Sequence, residues 1–241
     1  MLYRSHRGGV YYTPENTIHA FHDAFRQGFA SIETDPCFTK DGAIILLHDA
    51  TINRTCRNSD GTQIEEPIYH KDLTYDELMS FDAGIYKGEK FRGTKVPLLE
   101  ELLSLAEGTD TFIALDKKIP TDKLDSLFDV VARYKTKVSF SCKDTERIKK
   151  ILDRFPDAHI DYDGNTTEDD LKAVCDLVPY EQLMVWLYLD KPNFAWLTDR
   201  YKTSPENCER VKKYARLGVA NTINAYDTFE AIQYDPYMVE V

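Results

Sequence analysis

The chain has no apolar run approaching the roughly 20 residues that cross a bilayer, no Gly-x-Gly-x-x-Gly turn and no Cys-x-x-Cys pair. It also has no Ser/Gly linker, low-complexity stretch or charge block. A membrane span, the usual dinucleotide-binding turn and a zinc knuckle are thereby not expected, and nothing marks a domain boundary. Basic residues are in deficit: 30 Lys and Arg stand against 41 Asp and Glu, a net charge of -11. A nucleic-acid surface needs Lys and Arg in excess on one face, so no nucleic-acid partner is expected. An anionic substrate would instead need local positive charge or a metal. Cys37, Cys56, Cys142, Cys175 and Cys208 are odd in number and scattered, which suits buried thiols rather than a disulfide framework. The opening Met1-Leu2-Tyr3-Arg4-Ser5-His6 lacks a basic segment followed by an apolar one, and the expected location is the cytoplasm.

What is present is an alternation. Short apolar runs suitable for strands occur at Leu2–Ser5, Ala30–Cys37, Thr111–Leu115, Lys137–Ser141, Ala158–Tyr162, Leu183–Leu189, Val219–Asn224 and Tyr237–Val241. Between them lie segments of helical period, such as Leu124, Leu127, Phe128 and Val131, or Ile148, Ile151, Leu152 and Phe155. Eight strand-helix units within 241 residues predict a single α/β domain over 1–241, a (β/α)8 TIM barrel. Ala50–Lys95 breaks the alternation as a polar, turn-rich insertion between the second strand and the helix Leu98–Ala106. Just before it, Thr39-Lys40-Asp41-Gly42 predicts a hairpin turn between Pro36-Cys37-Phe38 and Ala43–Leu47, lifting His48 above the barrel mouth.

Several polar residues fall at strand ends, where a barrel keeps its chemistry. His6 and Arg7 follow the first strand, and a guanidinium beside an imidazole suits gripping a phosphate while moving a proton; a loop histidine bonded to backbone is the simpler alternative. Glu33 and Asp35 end the second strand at i and i+2, both pointing the same way. A hard cation, Mg²⁺ or Ca²⁺, would make that arrangement favourable, as would pairing of one carboxylate with Arg7 or a lysine. Asp116 closes the third strand beside them and can complete a metal shell; Lys118, at i+2, can neutralise a phosphate. His48 is followed by Asp49, and two facing histidines would serve phosphodiester cleavage as proton donor and acceptor. Glu15, in Pro14-Glu15-Asn16-Thr17, fits helix capping and substrate contact equally.

In order, His6-Arg7-Gly8, Pro14-Glu15-Asn16-Thr17 with Ala20-Phe21, Ile32-Glu33-Thr34-Asp35, Thr39-Lys40-Asp41-Gly42, His48-Asp49 and Arg54-Thr55 resemble the signature of the glycerophosphodiester phosphodiesterase family. Pro97-Leu98-Leu99-Glu100-Glu101 is similar to that family's Pro-x-Leu-x-Glu helix start, and Ser139-Phe140 and Ile223-Asn224 extend the likeness thinly. The resemblance implies a (β/α)8 barrel with an insertion after the second strand, here about 50–95. It implies a divalent ion on Glu33, Asp35 and Asp116, His6 and His48 as the acid/base pair, Arg7 and Lys118 on the phosphate, and Glu15 near the metal or substrate. The substrate would be a small-molecule glycerophosphodiester, the products sn-glycerol 3-phosphate and an alcohol. This chain departs from the pattern at Asp116-Lys117-Lys118, where Glu-x-Lys is usual, and at Asn221-Thr222-Ile223-Asn224, where Trp-Thr-Val-Asn is usual. The family's Thr-Asp-x-Pro turn and last helix have no counterpart before Val241. Trp186 and Tyr188, alternating on one strand, either replace the missing aromatic or are core. Two other readings stay open: a related phosphodiesterase acting on a lysophospholipid or other diester, and a non-catalytic barrel that binds a metal or sugar phosphate.

Overall fold

The computed structural model describes residues 1–191 and 198–241. Its strands are β1 (Leu2–Ser5), β2 (Ser31–Thr34), β3 (Pro36–Phe38), β4 (Ile44–Leu46), β5 (Phe112–Leu115), β6 (Val138–Cys142), β7 (His159–Tyr162), β8 (Leu183–Tyr188), β9 (Arg216–Ala220) and β10 (Met238–Glu240). The helices are α1 (Ile18–Gln27), α2 (Tyr75–Leu78), α3 (Leu99–Ala106), α4 (Leu124–Val131), α5 (Thr145–Arg154), α6 (Glu168–Cys175), α7 (Pro205–Lys212) and α8 (Ala225–Ile232). Eight strands form a closed barrel in the order β1-β10-β9-β8-β7-β6-β5-β2, while β3 and β4 form a separate antiparallel hairpin. This is the (β/α)8 class that the alternation predicts. No helix among the described residues is long and apolar enough to cross a membrane.

The chain divides into two compact units: Ser5–Lys137, and Met1–Arg4 with Val138–Val241. In the first, β2 pairs in parallel with β5, with Glu33 opposite Ala114 and Thr34 opposite Leu115. The predicted hairpin forms, pairing Pro36 with Leu46 and Phe38 with Ile44. Helix α1 is capped by Thr17, whose hydroxyl accepts the Ala20 N–H, and it buries Ala20, Phe21 and Ala24. The insertion has a core of its own, where Ile52, Cys56, Leu78, Ala83 and Val96 pack against Cys37, Ile45 and Leu47 of the hairpin region. These apolar residues follow no helical or strand period, so their clustering is invisible to periodicity.

In the second unit, β8 reads Leu-Met-Val-Trp-Leu-Tyr, nearly continuous apolar sequence, as parallel strands buried on both faces require. Trp186 is core. Its indole Nε1–H donates to Asp161 at 2.9 Å, and Arg4 stacks over its ring at 4.1 Å while making two 2.8 Å hydrogen bonds to the same carboxylate. Burial alone would push the Asp161 carboxyl up, but the Arg4 charge and the donors Ser139 and Trp186 hold it below the ordinary range. Gly218 completes the packing, because a Cβ there would stand 2.6 Å from the Trp186 ring. Most expected runs shift by a residue or two at an end, but two depart further: the run expected at 30–37 is divided between β2 (Ser31–Thr34) and the hairpin strand β3 (Pro36–Phe38), and the run after α7 is displaced. The run expected at 219–224 is β9 at Arg216–Ala220; it ends before Asn221, whose φ of 67° leaves the extended region, and Asn224 is the N-cap of α8. Of the five cysteines, none is in a disulfide; four are buried and Cys175 is partly exposed.

Candidate active site

The proposed site residues His6, Arg7, Glu15, Glu33, Asp35, His48, Asp116 and Lys118 all lie in the unit Ser5–Lys137. The chain turns sharply after β1. Arg7 sits at φ 52° and Gly8 at φ 76°, left-handed conformations that cost a non-glycine residue about 1 kcal/mol or more. The turn holds because the Arg7 N–H donates to Glu33 Oε2 at 3.0 Å and the Arg7 carbonyl accepts the Asn16 N–H at 2.9 Å. Gly8 is required: a Cβ would lie 2.8 Å from Phe21 Cδ1 and 2.9 Å from Ala20 Cβ of α1.

This turn places Arg7 among three carboxylates, its guanidinium at two of them and its main-chain N–H at the third. Nη1 donates to Glu15 Oε1 at 2.8 Å, Nε lies 3.4 Å from Asp35 Oδ2, and the main chain holds Glu33. Asp35 is almost fully buried; its Oδ2 also accepts from Asn16 Nδ2 at 2.8 Å, and its Oδ1 lies 3.6 Å from Lys118 Nζ. Asn16 is oriented in turn by the Thr34 hydroxyl, which donates to its Oδ1 at 2.7 Å. Of the two arrangements open to the Glu33/Asp35 pair, charge compensation by Arg7 and a lysine is thus present.

His6 Nε2 stands 4.0 Å from Glu33 Oε2, with about a third of its side chain exposed. His48 follows the hairpin and is similarly exposed, its Nδ1 2.6 Å from Asp49 Oδ1. Hydrogen bonds from Arg54 first, then from His48, hold Asp49 at about 2 against a desolvation that raises it. The carboxylate therefore has no proton to give near neutral pH, and Nδ1 of His48 is the donor. Its Nε2 is left for other chemistry.

Asp116 is set beside β2 by its own N–H, which donates to the Thr34 carbonyl at 2.9 Å, and its carboxylate lies 3.5 Å from Lys117 Nζ. Glu15 is not a helix cap; Thr17 is. Burial pushes Glu15 up, but hydrogen bonds and charge from Arg54 and Arg7 outweigh it and bring the carboxyl to about 2. The insertion also supplies Tyr86, whose Oη accepts the Glu15 N–H at 3.1 Å, and whose own ionisation desolvation pushes up to about 12. Asp49, Arg54, Asn16 and Tyr86 are members of this constellation to which sequence reasoning assigned no role. Asp49, Arg54 and Asn16 stood within the signature; nothing in the sequence singled out Tyr86.

A hard divalent ion suits the oxygen-only donors Glu33, Asp35 and Asp116 in chemistry. As arranged, among the described residues no three His, Cys, Asp or Glu side chains converge at metal-holding distances; Arg7 and Lys118 lie against Asp35, and Lys117 against Asp116.

The model of the glycerophosphoryl diester phosphodiesterase family matches residues 6–155. A glycerophosphodiester phosphodiesterase of Caldanaerobacter subterraneus subsp. tengcongensis is 40% identical over 114 residues, 47% of this chain and 44% of that protein. The matched segment is thus under half of that relative's length. Among solved structures, an Oleispira antarctica phosphodiesterase in complex with the product sn-glycerol-3-phosphate superposes with a TM-score of 0.79 at 16% identity, covering 100% of this chain and 92% of that one. A Parabacteroides distasonis glycerophosphoryl diester phosphodiesterase gives 0.76 at 22%, covering 99% and 81%. At these identities the structures attest the barrel alone, whereas the family model covers well over half of the sequence and takes in every one of the eight proposed site residues: this chain belongs to the glycerophosphoryl diester phosphodiesterase family.

Proposed function

We propose that the chain hydrolyses small glycerophosphodiesters to sn-glycerol 3-phosphate and an alcohol. The observation that supports this most is the meeting of Arg7 with Glu33, Asp35 and Glu15 on one turn, beside the partly exposed His6. The relative from Oleispira antarctica holds sn-glycerol-3-phosphate on the same fold, which is consistent with that product class.

In this reading Arg7 and Lys118 bind the phosphate oxygens, their charge suited to a diester and to the charge that builds up as it is attacked. Glu15 fixes the Arg7 guanidinium. His6 and His48 move protons, one from the attacking oxygen and one to the departing alkoxide. His48 presents Nε2 because Nδ1 is committed to Asp49. Glu33, Asp35 and Asp116 would hold a divalent cation, Mg²⁺ or Ca²⁺, which supplies Lewis-acid stabilisation of phosphate charge when bound. A cation there would compete with Lys118 for Asp35, and a bound phosphate would offer that ammonium a new partner.

The test is turnover of glycerophosphocholine, glycerophosphoethanolamine and glycerophosphoinositol, with sn-glycerol 3-phosphate measured directly, with and without Mg²⁺ or Ca²⁺. Release of sn-glycerol 3-phosphate that stops in excess EDTA supports the reading. Cleavage of lysophospholipid alone would redirect the substrate, and absence of any turnover would leave a binding barrel.

A further inference from the structure

The insertion between β4 and α3 returns two side chains to the loop before α1. One is Tyr86, described above. The other, Arg54, engages all three guanidinium nitrogens: Nε and Nη2 donate to Asp49 at 2.6 and 3.1 Å, and Nη1 and Nη2 donate to Glu15 at 2.7 and 2.8 Å. Glu15 in turn holds Arg7, and Asp49 holds His48. A continuous chain of charged and titratable side chains therefore runs His48, Asp49, Arg54, Glu15, Arg7, with Arg54 at its centre.

The centre matters for a geometric reason. An Asp-His contact at a half-open surface is by itself worth little and leaves both side chains free to rotate. Asp49 is about a third exposed. A planar guanidinium that binds the carboxylate through two nitrogens fixes its plane, and the oxygen left toward His48 then has one direction. The opposite edge of the same guanidinium does this for Glu15, which has Arg7 on its other side. One rigid group thus sets the orientation of two side chains that would meet the substrate.

We propose that Arg54 is a positioning residue: through Asp49 it holds His48 in the Nδ1-protonated tautomer with Nε2 presented to the substrate, and through Glu15 it holds the Arg7 guanidinium at the phosphate position. This rests on the hydrolytic reading above. It assigns the insertion a part in the chemistry that is not that of a lid or a specificity loop.

Lysine at 54 keeps the charge but cannot fork to two carboxylates, so the test compares Arg54→Lys and Arg54→Ala with the unaltered protein. Three quantities are read: kcat and KM on glycerophosphocholine, thermal midpoint, and the ¹⁵N spectrum of the His48 ring at pH 8, assigned by its loss in His48→Asn. Both variants are expected to stay folded. In both, kcat falls about 10- to 100-fold, the usual worth of a group that orients a functional side chain; KM rises only a few-fold; and the His48 ring shifts from Nδ1–H toward Nε2–H. Arg54→Lys is expected to recover little of the loss. Should Arg54→Ala not fold, Arg54→Lys alone decides the matter. Near-normal kcat with an unchanged tautomer in Arg54→Lys would overturn the proposal. So would a rise confined to KM with the tautomer unchanged, which would make Arg54 a direct substrate contact. Failure of the unaltered protein to cleave any glycerophosphodiester sinks the hydrolytic reading instead, and the tautomer comparison still reports on Arg54 separately.

Discussion

Lys118 Nζ lies 3.6 Å from Oδ1 of Asp35, while the other oxygen of that buried carboxylate is held by Asn16 at 2.8 Å. A divalent ion at Asp35 would therefore compete with a lysine for that carboxylate. Removing that competitor in Lys118→Met should tighten Mg²⁺ or Ca²⁺ binding by about tenfold or more, the scale of one unit charge at this separation, even as turnover falls. Asp35→Asn and Glu33→Ala should lose the ion without unfolding, and Asp116→Ala should weaken it. Titration calorimetry reads all four, and unchanged affinity in Asp116→Ala would return that carboxylate to a polar strand end.

The two histidines should be separable by leaving group. His6→Ala and His48→Ala are each expected to lower kcat by roughly two to four orders of magnitude on a natural diester. A nitrophenyl ester of glycerol phosphate, whose leaving group needs no proton, should restore much of the activity of the variant lacking the acid and little of the one lacking the base. Full activity in both variants would dismiss the pair.

Glu15 makes stability acid-sensitive in a defined window. Its folded pKa lies at about 2, below the ordinary 4.5, so the folded state binds this proton later than the unfolded chain does. The stabilisation is complete above the unfolded value and is lost as pH falls from about 4.5 toward 2, amounting to about 3 kcal/mol at most. Thermal midpoints of Glu15→Gln measured between pH 7 and 3 should therefore fall less steeply than those of the unaltered protein. Parallel curves would contradict the assignment.

Two glycines with the same φ of 76° should respond differently to alanine. At Gly8 the new methyl meets Phe21 and Ala20 below 3 Å, whereas at Gly28 nothing lies within 4 Å. Gly28→Ala should cost about 1 kcal/mol of backbone strain. Gly8→Ala adds the overpacking of α1 and should cost roughly 2 to 4 kcal/mol, with loss of activity as the Arg7 turn shifts. Denaturant midpoints compare the two directly.

Much of the fold is legible in the residues alone. The alternation of apolar runs with helical periods marked all eight barrel strands, because parallel strands buried on both faces must be apolar and the intervening helices must show one apolar stripe. The hairpin was legible from Thr39-Lys40-Asp41-Gly42, since turn chemistry is local. The end of β9 was not: continuation through Val-Ala-Asn-Thr-Ile-Asn looks acceptable until Asn221 is seen at φ 67°, a conformation that the sequence permits without demanding it. The core of the insertion was equally hidden, because Ile52, Leu78 and Val96 come together with no repeating interval.

The sequence by itself determined the barrel class and the order of residues able to handle a phosphodiester, since both depend on patterns and motifs read along the chain. Only the tertiary structure decided which charges meet. Arg54 could have served any of the nearby carboxylates, yet it joins Asp49, 5 residues away, to Glu15, 39 residues away, and Tyr86 reaches Glu15 across 71. Charge pairing acts over a few ångströms in any direction, so its partners are set by how the turns after β1, the hairpin and the insertion pack, and no periodicity along the chain records that outcome.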